Sequence, residues 1–296
     1  MSKKIITNKQ KIIQTLLYTF RFLNSKQIQK FLQHKDHRRI NKWLKDLSDK
    51  QYIERDFKPI FGTLTKPAVY NLAAKGRGYI RNAYTYHFPR YLKRIARDNK
   101  ASKSFRIRCQ IIADYYLLLF PPEQRNNQAK TTIGIDIIDH LVIQLTTDMD
   151  EKKEKIPMNT LQFFTPAYFP PFVLLEGIKP DAYIRKRTTR GIRHAFLFVI
   201  DAYIPRFLLR YSLKHIFDTL DEEYWEDESI HSLQFYFLCP NHKIIIYLRR
   251  TLPSFLENYY GSHEIIFYFG TRNQLYEGLK NPEKEIKWIT ISSKEK

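Results

Sequence analysis

Between residues 8 and 76 the apolar period of the chain switches from helical to alternating, and few folds accept that order. Ile12, Leu16, Phe20 and Leu23 recur on one face of a helix whose predicted N-cap is Asn8. Asn24-Ser25 closes that helix and caps a shorter one, with Ile28, Phe31 and Leu32 inside. A third begins after Asp36, with Ile40, Leu44 and Leu47 at i, i+4 and i+7. Tyr52–Asp56 and Ala68–Leu72 then alternate as strands do. Pro59, Gly62 and Pro67 between them predict a hairpin, and Lys58, Thr63, Thr65 and Lys66 make its tip basic and rich in hydroxyls. Ala73-Ala74-Lys75-Gly76 opens a further helix. Three short helices and a two-stranded wing spell a winged helix-turn-helix, whose third helix enters the major groove while the wing tracks phosphates.

The charge distribution points the same way. Residues 1–110 carry 27 Lys+Arg against 6 Asp+Glu, and residues 111–296 carry 23 against 24, so the net +20 belongs to one segment. A basic segment beside a neutral one implies a unit that faces a polyanion. Arg38, Arg39, Asn41, Lys42 and Lys45 on the third helix are the groove candidates, since Arg suits guanine and Asn suits adenine. Lys26, Lys58, Thr63, Thr65 and Lys66 are expected on phosphates, where they position without reading sequence. The competing explanation of residues 38–45 is an ordinary solvated helix face.

A second basic block, residues 90–108, holds Lys93, Arg94, Arg97, Lys100, Lys103 and Arg106. It reads as one or two helices with a break at Asp98–Ser102, linking the domains. Contact with the DNA backbone and a plain linker helix, pairing with its twin in a dimer, both fit. The expected domains are therefore residues 1–86, a basic helical linker over 87–120, and a second domain over 121–296.

Cys109 and Cys239 form no framework, which suits a reducing cytoplasm and two buried small hydrophobes. No apolar run reaches membrane-spanning length, and Met1-Ser2-Lys3-Lys4 lacks the apolar stretch of a secretion signal. A soluble cytoplasmic protein with no membrane contact is expected.

Beyond Pro121-Pro122 the pattern turns α/β. Strands are expected at Thr132–Ile138, Leu141–Leu145, Ala182–Arg185, Ala195–Asp201, Leu233–Cys239, Glu264–Thr271 and Ile286–Ile291. Asp148–Lys155 reads as a charged loop, Pro166–Pro171 as irregular, Arg185–Arg193 as a basic loop and Asp221–Glu228 as an acidic run. Helices are expected over Pro205–Leu220, with Leu208, Tyr211 and Ile216 inward, over Leu252–Tyr259 and around Gln274–Leu279.

One constellation could carry chemistry. Pro180-Asp181 precedes a strand, Asp201 ends the next, and Lys214 lies on the helix behind. A large nuclease fold uses two carboxylates on neighbouring strands to hold Mg²⁺ and a Lys to activate water. That pattern needs an acid at residue 199 and a Lys at 201, where this chain has Val199 and Asp201. One dependable acid makes a poor Mg²⁺ site, so no catalytic residue, metal or cofactor is expected. A turn cap and a polar strand end account equally well for the two aspartates. Cys239-Pro240-Asn241-His242 falls short of the four ligands Zn²⁺ needs. There is no Gly-rich phosphate loop, nucleophile elbow or Ser/His/Asp set.

Two resemblances follow from these residues. Lys42–Leu47, Tyr52–Arg55 and the run Val69-Tyr70-Asn71-Leu72-Ala73-Ala74-Lys75-Gly76 resemble bacterial winged-helix repressors, with Gln51 and Ala73 standing where Gly and Thr are usual. The whole order resembles the replication-relaxation family of plasmids and integrative elements in low-GC Gram-positive bacteria. The match is best over Ile178–Tyr183, Phe196–Asp201 and Tyr211–Lys214. The resemblance implies an α+β two-domain protein with a winged helix and a restriction-endonuclease-like α/β domain, here degenerate because Val199 replaces a Glu. It also implies work in plasmid replication, DNA relaxation or transfer, or control of the genes behind them. The expectation is a homodimer on double-stranded DNA, with replication or conjugation proteins as further partners. The alternatives are a Mg²⁺-dependent nicking endonuclease using Asp181, Asp201 and Lys214, and a scaffold for an acidic protein.

Overall fold

Each early helix begins where a side chain satisfies its free N–H groups. A computed structural model of the chain describes residues 6–57, 67–83, 89–120, 161–169, 179–220, 230–259, 263–281 and 284–293. Helix α1 (Asn8–Phe20) is capped by Thr7, not by Asn8. Gln10, three residues on, returns its side-chain oxygen to the Thr7 N–H at 3.0 Å and completes a capping box. Asn24 and Gln27 repeat the device on α2 (Ser25–Phe31), and Asp36 caps α3 (His37–Asp49). Leu23, expected on the α1 face, lies instead in β1 (Leu23–Asn24), because Arg21 turns the chain at φ 64°.

The wing forms from β2 (Ile53–Asp56) and β3 (Val69–Leu72), and β1 completes an antiparallel sheet of order β1-β3-β2. Gln51 occupies the left-handed position after α3 (φ 61°), where glycine is usual, and Tyr52 N–H donates to Leu47 O at 2.9 Å to close the cap. Helix α4 (Ala74–Ala83) then lies against the backbone of residue 52. A Cβ on Gly76 would sit 2.1 Å from Tyr52 O, so the Lys75-Gly76 motif marks a close approach.

Residues 89–120 do more than link. They form α5 (Pro89–Ile95), a 3₁₀ turn (Asp98–Lys100) and α6 (Lys103–Leu119). Helix α6 packs on α1, α2 and β1, burying Ile111, Ala113, Tyr115 and Leu117. Tyr116 joins Phe20 and Phe31 in a three-ring cluster with centroids 5.0–5.6 Å apart. These helices therefore belong to the first of two compact units, residues 1–150 and 151–296. Their apolar faces explain the difference, since a free linker would leave Ile111 and Leu117 in water.

The second unit is a six-stranded sheet in chain order: β4 (Leu161–Phe164), β5 (Ala182–Thr188), β6 (Gly191–Val199), β7 (Ile230–Cys239), β8 (Glu264–Thr271) and β9 (Ile289–Ser292). β4/β5, β5/β6 and β8/β9 pair antiparallel, while β6/β7 and β7/β8 pair parallel. Helices α7 (Arg206–Leu220), α8 (His242–Thr251) with α9 (Pro253–Leu256), and α10 (Arg272–Lys280) make the last three connections. Phe164, Tyr183, Phe196, Phe235 and Phe267 stack in a row across five strands at 5.1–5.5 Å, and Phe217 of α7 continues the row at 5.8 Å. Cys109 and Cys239 are free and buried.

Several expectations change here. The basic loop at 185–193 is strand on both sides of a tight turn, because Arg185, Arg187 and Arg193 belong to the paired edges of β5 and β6. Pro240-Asn241, after the end of β7, opens a helix, α8, since Asn241 Oδ1 accepts the Ile244 N–H at 3.2 Å. Ile216 is buried as expected, but Leu208 and Tyr211 point outward, 41% and 66% exposed, and Leu209 and Leu213 take their place on the inner stripe of α7. Strand β4 begins five residues before Pro166, where the sequence pattern predicts none. The expectations for residues 132–138, 141–145, 148–155 and 221–228 lie outside the described residues. Among the described residues no helix is long and apolar enough to cross a membrane.

The two glycines of α4 separate packing from propensity. Gly76→Ala should lose about 2 kcal/mol or more through the clash with Tyr52 O. A Cβ at Gly78 would meet nothing within 4 Å, so Gly78→Ala should gain about 0.5–1 kcal/mol. Urea unfolding of both variants measures the contrast, and equal effects would refute the close approach.

Candidate nucleic-acid interface

Asp36 sets the start of α3 by accepting the N–H groups of Arg38 and Arg39 at 2.8 and 3.3 Å. Ile40, Leu44 and Leu47 are wholly buried, which fixes the inner face of the helix. His37, Arg38, Asn41, Lys42 and Lys45 consequently stand in solvent on the outer side. Arg39 is drawn to one flank, its guanidinium 5.6 Å from the Trp43 ring, which meets His34 edge-on at 5.2 Å. Asp46 is neutralised on that side, accepting from Gln10 Nε2 at 2.6 Å and pairing with Lys50 at 2.7 Å. Asp49, exposed at the end of α3, is the one carboxylate left on the outer side, which stays cationic on balance.

An open groove of about 640 Å³ runs beside this helix, between the start of α2 and the wing. His37, Asn41, Lys45 and the carboxylate of Asp49 line it from α3, Lys26 from α2, and Arg55 and Tyr70 from the wing. Arg55 and Tyr70 are cross-strand neighbours, and the Arg55 guanidinium lies 4.7 Å from the Phe57 ring. Burial raises the Tyr70 phenol above its ordinary pKa, and the Arg55 charge and hydrogen bond work against the rise. Tyr70 thus stays a neutral donor. Cations, one carboxamide and one phenol can together bind phosphate oxygens and a base edge.

Of the residues expected from sequence, Lys26, Asn41 and Lys45 share the groove, while Arg38 and Lys42 project from the outer face of α3. Arg39 is placed aside, on Trp43. Lys58, Thr63, Thr65 and Lys66 lie outside the described residues. The sequence pattern does not single out His37, Arg55 or Tyr70. The hairpin register carries that signal, because it sets Arg55 opposite Tyr70. In the second basic block Lys93, Arg94, Arg97, Lys100 and Lys103 are exposed, but Arg106 serves the fold. It pairs with Asp56, donates to Ala101 O at 3.1 Å and lies 5.4 Å from the Phe22 ring.

The winged helix is braced from behind by a polar seam. Gln27 Nε2 donates to Gln110 O and Asp114 Oδ1, both at 2.8 Å, and Asn24 Nδ2 donates to Gln110 Oε1 at 3.2 Å. Burial raises Asp114 to about 6, with the Gln27 bond and the Lys30 charge opposing it.

In the second unit Asp181 and Asp201 hold backbone. Asp181 Oδ2 accepts the Val199 N–H at 2.7 Å, and Asp201 Oδ1 accepts the Tyr203 N–H at 3.4 Å. Val199 is buried and Lys214 is exposed on α7. Among the described residues no three His, Cys, Asp or Glu side chains converge as metal ligands would. With a valine at 199, the second strand carboxylate of a two-carboxylate Mg²⁺ site is missing, and the donor set does not fit one.

Comparison with known proteins adds two findings. The replication-relaxation family model matches residues 15–202, 188 of the 296. Among solved structures the chain is similar to Bacillus subtilis PadR in complex with operator DNA, at 15% identity and a TM-score of 0.23, over 51% of this chain and 81% of that one. No curated protein matches the chain.

The brace is testable through pH. Asp114 is raised in the folded state, so its charge costs stability above about pH 6, and that cost fades as pH falls toward the ordinary carboxylate value. Asp114→Asn keeps an acceptor for Gln27. It should stabilise the protein by about 2–3 kcal/mol at pH 7 and by almost nothing near pH 4. A difference that does not vary with pH in thermal unfolding would contradict the assignment.

Proposed function

The chain belongs to the replication-relaxation family, and from that premise we propose that it binds double-stranded DNA in a sequence-specific way. The binding would serve replication or relaxation of a plasmid or other mobile element, or transcriptional control within it. One observation carries the reading: the exposed side of α3 presents four cations, Arg38, Arg39, Lys42 and Lys45, against the single carboxylate of Asp49, and lies beside a groove lined by the wing. Arg38, Asn41, Lys42 and Lys45 would face the major groove, with Asn41 suited to adenine. Lys26, Arg55 and the wing residues Lys58, Thr63, Thr65 and Lys66 would hold phosphates. One recognition helix reads few base pairs, so two copies on paired half-sites are expected.

The second unit is proposed as a nuclease-like scaffold without nuclease chemistry. The order β4-β5-β6-β7, with two antiparallel pairings, a helix and then a parallel strand, supports the fold reading. The Asp181 bond to the Val199 N–H supports a structural part for that carboxylate. Replication or conjugation proteins are the further partners this scaffold would hold.

Binding to a labelled duplex, followed by fluorescence anisotropy between about 50 and 200 mM salt, tests the DNA reading. Lys42→Ala or Lys45→Ala should each reduce the slope of log K against log salt by about 1. Asn41→Ala should instead relax discrimination between duplex sequences by roughly tenfold. Unchanged slopes in both lysine variants would refute contact through α3.

A further inference from the structure

Helix α7 shows water a face that a folded chain ordinarily buries. Tyr203, just before it, is 92% exposed, Phe207 70% and Tyr211 66%. Phe207 and Tyr211 are one turn apart on the side opposite the inner stripe, and the His215 ring stacks on Tyr211 at 6.4 Å. The aromatic row is thus a stepped platform along the helix. Contiguous exposed apolar surface of this kind marks an interaction site.

The charges beside the rings name the partner. Arg206, Arg210 and Lys214 are exposed and interleave with Phe207 and Tyr211, and the one acid of the helix is Asp218, a turn beyond Lys214. Tyr247 OH donates to Arg206 O at 3.0 Å, and the Arg206 guanidinium lies 5.4 Å from the Tyr247 ring, which joins α8 to the same surface. Helix α8 adds exposed Lys243, Arg249 and Arg250 and has no acid of its own. The whole surface sits in a unit whose overall charge is nearly balanced, with 21 Lys+Arg and 18 Asp+Glu over residues 151–296. A protein partner could use the rings, but it would have to be acidic on balance to match six exposed cations, Arg206, Arg210, Lys214, Lys243, Arg249 and Arg250, against Asp218. Duplex DNA offers the phosphates but keeps its base faces stacked inside. A single strand offers both, with bases free to stack on aromatic rings and a phosphate backbone for the cations.

We propose that the α7–α8 surface binds single-stranded DNA, separately from the duplex-reading face of α3. The choice of DNA over RNA rests on the duplex-DNA reading of the first unit; the stacking and charge argument does not. A chain with both surfaces could hold a duplex site and an adjacent opened strand.

The test uses the full chain and three labelled probes, an oligothymidylate, an oligouridylate and a duplex, each titrated at several salt concentrations. The double variant Phe207→Ala/Tyr211→Ala should weaken oligothymidylate binding at least about tenfold and leave duplex binding unchanged. Arg210→Gln/Lys214→Gln should lower the oligothymidylate salt slope by about 1.4, at roughly 0.7 per phosphate contact on a single strand. All four side chains are exposed, and circular dichroism checks that the variants fold. Oligothymidylate affinity unchanged in the aromatic variant would overturn the proposal. So would its loss through Lys42→Ala alone, which would place both probes on α3. Tighter binding of oligouridylate than oligothymidylate would overturn the choice of DNA while leaving the duplex reading untouched. Failure of that duplex reading shows separately, as a duplex salt slope unmoved by Lys42→Ala.

Discussion

Asp98 is buried to 1% of its surface, and both of its carboxylate oxygens are taken by the guanidinium of Arg21. A buried carboxylate is expensive, and loss of either partner would leave an uncompensated charge costing about 3–5 kcal/mol. The pair ties the end of α1 to the turn between α5 and α6. Arg21 can reach it because the chain leaves α1 through a left-handed residue. One turn into α6, Arg106 repeats the arrangement on Asp56 at the end of β2. The two pairs thus fasten the start of α6 to the end of α1 and to β2, and the Gln27–Asp114 seam holds its following turns. The angle between α3 and the wing, which shapes the groove, is held from behind by a helix that does not line it.

That dependence explains which parts of the structure can be read in advance. The stripes of Ile12/Leu16 and Ile40/Leu44/Leu47 are local, because a buried helix face repeats every three or four residues, and the structure buries them all. The Lys75-Gly76 motif is visible as well, although its cause, the Tyr52 carbonyl, is not. Arg21–Asp98 spans 77 residues and Arg106–Asp56 spans 50, so neither leaves a periodic trace. Residues 87–120 therefore read as a linker, since the sequence displays their cations and hides the partners. On α3 the exposed candidates follow from the wheel alone. The wing wall, with Arg55 and Tyr70, needs the strand register.

The second unit shows a different limit. Its strands from 182 to 271 are rich in aromatics that stack in rows, and such runs read as buried from composition. On α7 the same habit misleads. Leu208 and Tyr211 look like core by type, but Leu209, Leu213 and Ile216 hold that side of the helix. Periodicity offers two overlapping stripes here, and only packing against Phe267 chooses between them. The stripe left outside is the aromatic platform. Around Asp181 the Pro-Asp before a strand is legible in the sequence, while the hydrogen bond its carboxylate accepts from the Val199 N–H is not.

The central claim is that the braced face of α3 reads a duplex site without cutting it. Selection of bound fragments from a pool of random duplexes, followed by footprinting of the enriched sequence with and without Mg²⁺, tests it most directly. The account predicts one discrete protected site with both strands intact in either condition, arranged as two half-sites about one helical turn apart. Uniform recovery of all fragments would contradict sequence reading. Strand breaks at the protected site that require Mg²⁺ and vanish in Asp181→Ala would contradict the structural part given to that carboxylate.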